Sequence, residues 1–492
     1  VIEHLPILQV IIPLLAAPIC LILREARLVR WFTFIASALA FVNSILLLQQ
    51  VQTQGTISYS LGGWVAPIGI EYRIDLLNAY LLILVTSIST LALLAAGPSL
   101  RKELSERKET YFYVAYLLCL TGLLGILATG DAFNVFVFLE ISSLASYTMI
   151  AMGRDRRALW ASYQYLIMGT IGATFILIGI GLMYMMTGTL NMYDLAERLP
   201  EVQQTKTVFT AFAFFVVGVC LKLALFPLHL WLPNAYAYAP SIATVFLAAT
   251  ATKVAIYVLL RFIFSVYGFE FSFSHLPLQE ILVALGLMGV FAASIVAIYQ
   301  DNVKRLFAYS SVAQIGYMIL GLGVGSKTGL TATLLHLFNH ALMKGAIFLA
   351  LAGLIYRVGS VNLKAFSGLG KQMPWTMAAI VVGGLSLIGV PLTVGFVSKW
   401  YLVLALLESN WWPIAVLVLI GSLLAVIYVW RIVEVAYFRK AMQDSAPYKE
   451  APLMILIPTW ILVLANIYFG IDTGFTVGLS EQIAASLFEV AK

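Results

Sequence analysis

The chain is short of cysteine and of charge, and each shortage removes a class of protein. Its three cysteines, Cys20, Cys119 and Cys220, lie singly and far apart in 492 residues, with no CxxC and no paired Cys/His spacing. A disulfide framework, a zinc site or an iron–sulfur cluster has no ligand set to start from, so neither a metal nor a cofactor is expected. Charged residues make up 11% of the chain, against roughly 25% in soluble domains. No stretch is polar enough to form a separate soluble domain, and the net charge of +6 carries no sign of nucleic-acid binding.

What the chain has instead is apolar length. Hydrophobic residues account for 62% of it, and apolar runs near 20 residues, the length that crosses a hydrocarbon core of about 30 Å as helix, recur from residue 5 to residue 471. About 14 spans are predicted, an all-α polytopic membrane protein. They run 5–23, 30–51, 74–97, 111–129, 132–152, 159–187, 207–226, 238–263, 279–299, 302–324, 328–357, 374–404, 411–437 and 452–471. The first, interrupted by Pro6, Pro13 and Pro18 and followed by basic residues, reads as a retained span and not as a cleavable signal.

The basic residues are sorted by side. With Val1 outside, inner loops hold 19 of the 29, among them Arg24, Arg27, Arg30, Arg101, Lys102, Arg107, Lys108, Arg154, Arg156 and Arg157. Outer segments hold Arg73, Arg198, Lys206, Arg261, Lys327 and Lys492. That asymmetry is the positive-inside pattern, and it predicts both termini outside.

Two spans are interrupted. Lys222 is followed by Pro227 and Pro233, and the stretch from Gly383 to Lys399 holds Gly389, Pro391 and Gly395; proline withholds the donor that a continuous helix needs. Paired broken helices point to an inverted-repeat transporter. At an offset of 170 residues, Asp131 matches Asp301, Tyr147 matches Tyr317, Gly153 matches Gly323 and Arg261 matches Arg431. An offset of five spans turns the second unit upside down. The expected division is helices 1–3 in residues 1–110, a first five-helix repeat in 111–263, an inverted second repeat in 279–437, and a last span with its tail in 438–492.

Charge inside apolar spans is expensive and marks ion pathways by default. Glu140 lies mid-span and is the only carboxylate so deeply placed by sequence. Lys222, Lys253, Lys344 and Lys399 are the four buried lysines. The alternative for each is a purely structural tie; snorkelling to an interface is a weak reading for Lys222, which lies far from either end. His336, His340 and Lys344 recur every four residues and share one helical face, which makes a proton relay the better reading of that stripe. Burial disfavours an ammonium and a nearby carboxylate favours it, so a lysine that gains or loses such a partner can trade a proton without a cofactor. The charges of Asp301 to Leu306 read as a solvated basic edge, and Leu479 to Val490 as a short amphipathic tail.

With these residues in place, the chain resembles the antiporter-like subunits shared by respiratory complex I, membrane-bound hydrogenases and Mrp-type sodium/proton antiporters. The resemblance covers roughly residues 110 to 440. It is carried by Gly130-Asp131 with Phe138-Leu139-Glu140, by Phe226-Pro227-Leu228-His229-Leu230-Trp231-Leu232-Pro233, and by Lys304-Arg305-Leu306-Phe307-Ala308-Tyr309-Ser310-Ser311. It implies two inverted five-helix units, each with a broken helix, and a polar axis along the membrane midplane. On that axis Glu140 and Lys222 match the coupled ion pair and Lys253 the central lysine. His336, His340 and Lys344 fall on the bridging helix, and Lys399 takes the terminal position. Length, the lysine at 399 and the Gly188-Thr189-Leu190-Asn191-Met192 loop most resemble the D-type member of the Mrp antiporters. The resemblance thus implies partner subunits in a bacterial cytoplasmic membrane and protons, with sodium, as the transported ions. The rival is a non-redox proton-pumping subunit of a complex I-like dehydrogenase or hydrogenase.

Overall fold

The computed structural model describes residues 2–23, 25–274, 276–441 and 447–490; Arg24 and Lys492 fall outside them. The first helices are α1 (Leu5–Leu23) and α2 (Ala26–Gln54), followed by a hairpin of β1 (Ile57–Ser60) and β2 (Glu71–Ile74), then α3 (Leu76–Glu103). Next come α4 (Glu106–Ala128), α5 (Ala132–Ala151), α6 (Arg157–Thr187), the short α7 (Met192–Val202), α8 (Lys206–Leu223), α9 (Trp231–Tyr238) and α10 (Ser241–Leu260). After α11 (Phe269–Ser274) follow α12 (Leu278–Ile298), α13 (Val303–Gly323), α14 (Lys327–Val358), α15 (Leu369–Gln372), α16 (Pro374–Ile388) and α17 (Val394–Glu408). The series ends with α18 (Trp412–Val433), α19 (Leu453–Ile471) and α20 (Gly474–Val490). Among the described residues, thirteen helices are long and apolar enough to cross a membrane. The broken pair α16–α17 covers the fourteenth predicted span.

The hairpin is a feature the sequence pattern did not announce. It pairs Ile57 with Ile74 and Ser60 with Glu71 in antiparallel register. Gly130 N donates to the Glu71 carbonyl at 2.9 Å, which fastens the hairpin to the turn between α4 and α5.

The repeat is visible in matched local structure. Asp131 caps α5 by accepting from Asn134 N at 2.7 Å, and Asn302 caps α13 by accepting from Arg305 N at 3.0 Å; such caps satisfy donors that a helix start leaves open. Each cap residue also forms a single bridge, Asp131 with Asn191 and Asn302 with Asn362. α6 and α14 both end on a left-handed glycine, Gly188 and Gly359. These pairs sit 171 residues apart, so the register through α5–α6 and α13–α14 corrects the 170 offset: Asp131 corresponds to Asn302 and not to Asp301. One residue of slip rotates a helix by about 100°, which is why the scattered identities at 170 do not share faces there. Arg261 and Arg431, by contrast, each stand at or just before a π-helical turn, Arg261–Val266 and Glu434–Phe438.

The two units point in opposite directions. Asn78 at the start of α3 holds Tyr257 near the end of α10, close to the hairpin where α5 begins. Lys304 in the first turn of α13 bonds the Ala239 carbonyl just before α10 begins, so α13 starts at the opposite end of the bundle. The 32-residue α14 is the spine, touching α3, α10, α13, α16, α17, α19 and α20. Where α12 crosses α13, Gly286 and Gly316 bring the backbones together; a Cβ on Gly316 would come 2.6 Å from the Gly286 carbonyl oxygen. Small residues at such crossings let membrane helices approach closely. The tail predicted over Leu479–Val490 is the greater part of α20, which buries Leu479, Ile483, Ala484 and Leu487 against its neighbours.

Candidate functional site: the buried lysine and histidine axis

The two broken helices expose backbone carbonyls that something must satisfy. At the first break Ala224 turns left-handed (φ 61°) and the Trp231 indole donates to the Leu221 carbonyl at 3.0 Å. That leaves the Lys222 ammonium free of capping duty. It meets Glu140 Oε1 of α5 at 3.2 Å and donates to Ser143 Oγ, one turn along α5, at 2.8 Å. At the second break Gly389 takes the left-handed conformation and Lys399, reaching back from α17, donates to the Leu387 and Ile388 carbonyls at 2.8 and 3.0 Å and to Ser422 Oγ at 3.0 Å. A cation at a helix C-terminus is stabilised by the macrodipole. The two lysines flank corresponding breaks but use different anionic partners, a carboxylate in one case and a helix end in the other.

Among the described residues, Lys222 is the only one of the four lysines with a carboxylate partner. Lys253, wholly buried in α10, donates to the Ala248 carbonyl at 2.5 Å, with Thr252 Oγ1 at 3.4 Å; the Thr250 hydroxyl is turned to the Phe246 carbonyl instead. Lys344, also wholly buried, donates to the Phe307 carbonyl at 2.7 Å and to Ser310 Oγ, and lies 5.4 and 5.9 Å from the Phe307 and Phe348 ring centres.

The stripe on α14 forms as its spacing predicts. The rings of His336 and His340 stack 6.2 Å apart and nearly parallel. His336 bonds Ser398 Oγ through Nδ1 at 2.8 Å and the Gln314 side-chain Oε1 through Nε2 at 2.9 Å. Ser398 adjoins Lys399, whose ammonium lies 4.7 Å from the Tyr317 ring centre. Lys344 turns toward α13 and bonds neither histidine. Both ring nitrogens of His340 are buried without a partner among the described residues, although buried polar groups almost always keep one. His340 has Lys253, Lys344 and His336 as electrostatic neighbours, and His336 has Lys253 and Lys399. Lys253 therefore acts on both histidines, Lys344 on His340 and Lys399 on His336.

A cavity of about 20 Å³ adjoins Lys222, lined by Ser142, Ser143, Ser146 and Tyr165 and reaching α10 at Ala251, Val254 and Ala255, on the face turned away from Lys253. A volume of that size holds about one water. Glu140 is less enclosed than its mid-span position suggests, with 27% of its side chain exposed.

One expectation fails. Lys304 is not part of a solvated edge: it is 3% exposed and donates to the Ala239 carbonyl at 2.7 Å, just before the α10 start where Ser241 N meets the Glu103 carboxylate. Sequence reasoning also passed over Ser143, Gln314, Ser398 and Ser422. Their only signal is a small polar residue at a buried helical position, too common a pattern to single them out.

Comparisons with known proteins agree on a family. Residues 129–425 match the family described as NADH:quinone oxidoreductase/Mrp antiporter, TM. The chain is 40% identical to NADH-quinone oxidoreductase subunit N of Desulforudis audaxviator, over 99% of this chain and 98% of that one. It is 30% identical to the D-type chain of the Na(+)/H(+) antiporter of Bacillus subtilis, over 99% and 97%. Among solved structures it superposes on a chain of the membrane-bound sulfane sulfur reductase, an archaeal respiratory membrane complex, with TM-score 0.91 and 30% identity over 99% and 98%. The chain belongs to the NADH:quinone oxidoreductase/Mrp antiporter family of polytopic membrane subunits.

Proposed function

We propose that this chain is the proton-translocating subunit of a multisubunit Mrp-type sodium/proton antiporter, the D-type member of its complex. The observation that carries the reading is the Glu140–Lys222 pair, an ammonium and a carboxylate 3.2 Å apart within membrane-spanning helices. A proton arriving at this pair weakens it, and the change in field acts across α10 on Lys253. The disturbance then passes by electrostatics to His340, Lys344 and His336, and through Ser398 to Lys399. The chain's own chemistry is proton transfer between side chains. Sodium, a hard cation that asks for several oxygen ligands, finds one mid-span carboxylate here and is assigned to a partner subunit or a shared aqueous path. The sorted basic residues support insertion in a cytoplasmic membrane with the loops around Arg27, Arg101 and Arg157 inside.

Replacing Lys222 or Glu140 with alanine abolishes antiport in vesicles while the complex still assembles; wild-type exchange by assembled variants refutes the assignment. A second reading is favoured by the 40% identity to a protein named as an NADH-quinone oxidoreductase subunit, namely a non-redox proton-pumping subunit of a redox complex. Purification with tagged chain decides: antiporter subunits support the first reading, flavin or iron–sulfur subunits the second.

A further inference from the structure

The two histidines of the α14 stripe differ in their hydrogen bonds. His340 has no partner for either ring nitrogen among the described residues, whereas His336 has one for each, and the two are unlike in kind. Gln314 Oε1, 2.9 Å from Nε2, can only accept, so Nε2 carries a hydrogen whether the ring is neutral or charged. In the neutral ring the lone pair then lies on Nδ1, and the Ser398 hydroxyl 2.8 Å away donates to it. That hydroxyl can also turn. Its oxygen lies 3.4 Å from both the Val394 and the Gly395 carbonyl oxygens, which can take its hydrogen when Nδ1 gains a proton and becomes a donor. One side of the ring is fixed and the other can change.

Gln314 is 1% exposed, and among the described residues its side chain makes no other hydrogen bond. Burying an amide costs free energy that an apolar residue of the same length avoids. The repeat gives it a counterpart. In the register set by the Asp131 and Asn302 caps, Gln314 corresponds to Ser143, Ser311 to Glu140 and His336 to Tyr165. In the first unit Glu140 and Ser143 bond Lys222 directly, and Tyr165 lines the cavity beside it. In the second, Ser311 turns to the Phe307 carbonyl, Lys399 turns to the end of α16, and the longer Gln314 reaches His336. An amide that holds a histidine thus stands where the first unit has a hydroxyl that holds a lysine.

We propose that Gln314 is a positioning residue that holds neutral His336 as the Nε2–H tautomer, so that its basic nitrogen faces Ser398 on α17. The proposal rests on the reading of His336 as a member of the proton axis. A proton that joins the ring does so at Nδ1 and gives an imidazolium with one N–H on Gln314 and one on Ser398; its departure from Nδ1 restores the lone pair. Nε2 keeps its hydrogen throughout. Proton uptake is thereby confined to the side of the ring that faces the helix bearing Lys399, whose charge acts on His336 together with that of Lys253. The His340 ring stacked against His336 and the Tyr317 ring 5.9 Å away meet the imidazole without bonding either nitrogen.

The test reads the tautomer and transport separately. Nitrogen-15 spectra of the assembled complex, labelled at histidine and recorded at alkaline pH, distinguish a protonated ring nitrogen from a bare one; the His336 signals are those lost in His336→Gln. The wild type shows Nε2 protonated and Nδ1 bare. Gln314→Met keeps the length and removes the acceptor: protonated Nδ1 appears, and exchange per assembled complex falls roughly tenfold or more, as when a catalytic histidine takes the wrong tautomer. Gln314→Glu keeps an acceptor, and Nε2 keeps its hydrogen. Because Gln314 and Ser398 act through one ring, the losses of exchange in Gln314→Met and Ser398→Ala do not multiply in the double variant. Protonated Nδ1 in the neutral wild-type ring, unchanged spectrum and exchange in Gln314→Met, or losses that multiply overturn the proposal. If His336→Gln fails to assemble, the double variant decides; if Gln314→Met fails, the wild-type tautomer decides. Lys222→Ala is measured alongside: its full exchange removes the proposed function and leaves the tautomer assignment standing, whereas its inactivity with the wrong wild-type tautomer removes only the role of Gln314.

Discussion

Replacing Lys222 with arginine separates a proton carrier from a fixed counter-charge. At 3.2 Å from Glu140, the pair is worth about 5 kcal/mol at an effective dielectric near 20. Screening through the partly exposed Glu140 side chain brings this to about 2 kcal/mol, between the surface and buried limits. Arginine keeps that energy, since its guanidinium bonds carboxylates well. It also has room, because the 20 Å³ cavity beside Lys222 is lined by Ser142, Ser143 and Ser146. What arginine loses is the ability to release the proton: its reference pKa lies about 2 to 3 units above that of lysine. If Lys222 must deprotonate in each cycle, the competent population drops ~100-fold or more at unchanged stability. The assay is sodium-driven proton exchange in everted vesicles, read with a pH-sensitive dye and normalised to assembled complex on a native gel. Wild-type exchange by assembled Lys222→Arg refutes the carrier role and leaves Lys222 as a structural cation.

Other substitutions probe the breaks, the caps and the lysine at the start of α13. Gly395→Ala sets a Cβ against the Ser386 carbonyl and prevents α16 and α17 from closing; complex yield collapses, and a normal yield contradicts the packing argument. Lys399→Met strips the Leu387 and Ile388 carbonyls of their donor, at about 1–3 kcal/mol for each group left unsatisfied, so the complex melts earlier, whereas Lys399→Arg restores the melting temperature but not exchange. Lys304→Met uncovers the Ala239 carbonyl and lowers the melting temperature of the complex without changing the exchange rate per assembled complex; a selective loss of exchange would place Lys304 on the pathway. Burial raises the Asp131 carboxyl above its ordinary 3.8, so the stability that its protonated form contributes is lost as pH rises through that raised value. Asp131→Asn, which copies the Asn302 cap, therefore stabilises the complex at pH 7.5, and the gain shrinks as pH falls toward 3.8; thermal unfolding at pH 7.5 and pH 5 checks the sign.

The spans, both breaks, the four buried lysines and the mid-span Glu140 are legible in the sequence because each is a local contrast: a charge or a proline within an apolar run. The hairpin is not, since strands as short as Ile57–Ser60 and Glu71–Ile74 leave little alternation to read. The repeat register read from identities is off by one because identities in an apolar chain arise by composition; the caps at Asp131 and Asn302 set it through backbone geometry. Lys304 reads as solvated because it opens a helix among polar neighbours, and only the arrival of Ala239 from another element buries it. The partners of Lys253, Lys344 and Lys399 include backbone carbonyls, which no residue type marks. Lys222 alone has its partner named beforehand, through the resemblance, which matches it with Glu140 as a coupled ion pair; the structure brings the two to 3.2 Å.

The most direct measurement is a density map of the assembled complex at a resolution that shows ordered water. The account predicts water in the cavity between Lys222 and α10, and water bonded to the ring nitrogens of His340, joining the Glu140–Lys222 pair to Lys399 by hydrogen bonds. Dry packing between these side chains, or Lys222 and Lys399 turned out to lipid headgroups, would contradict it.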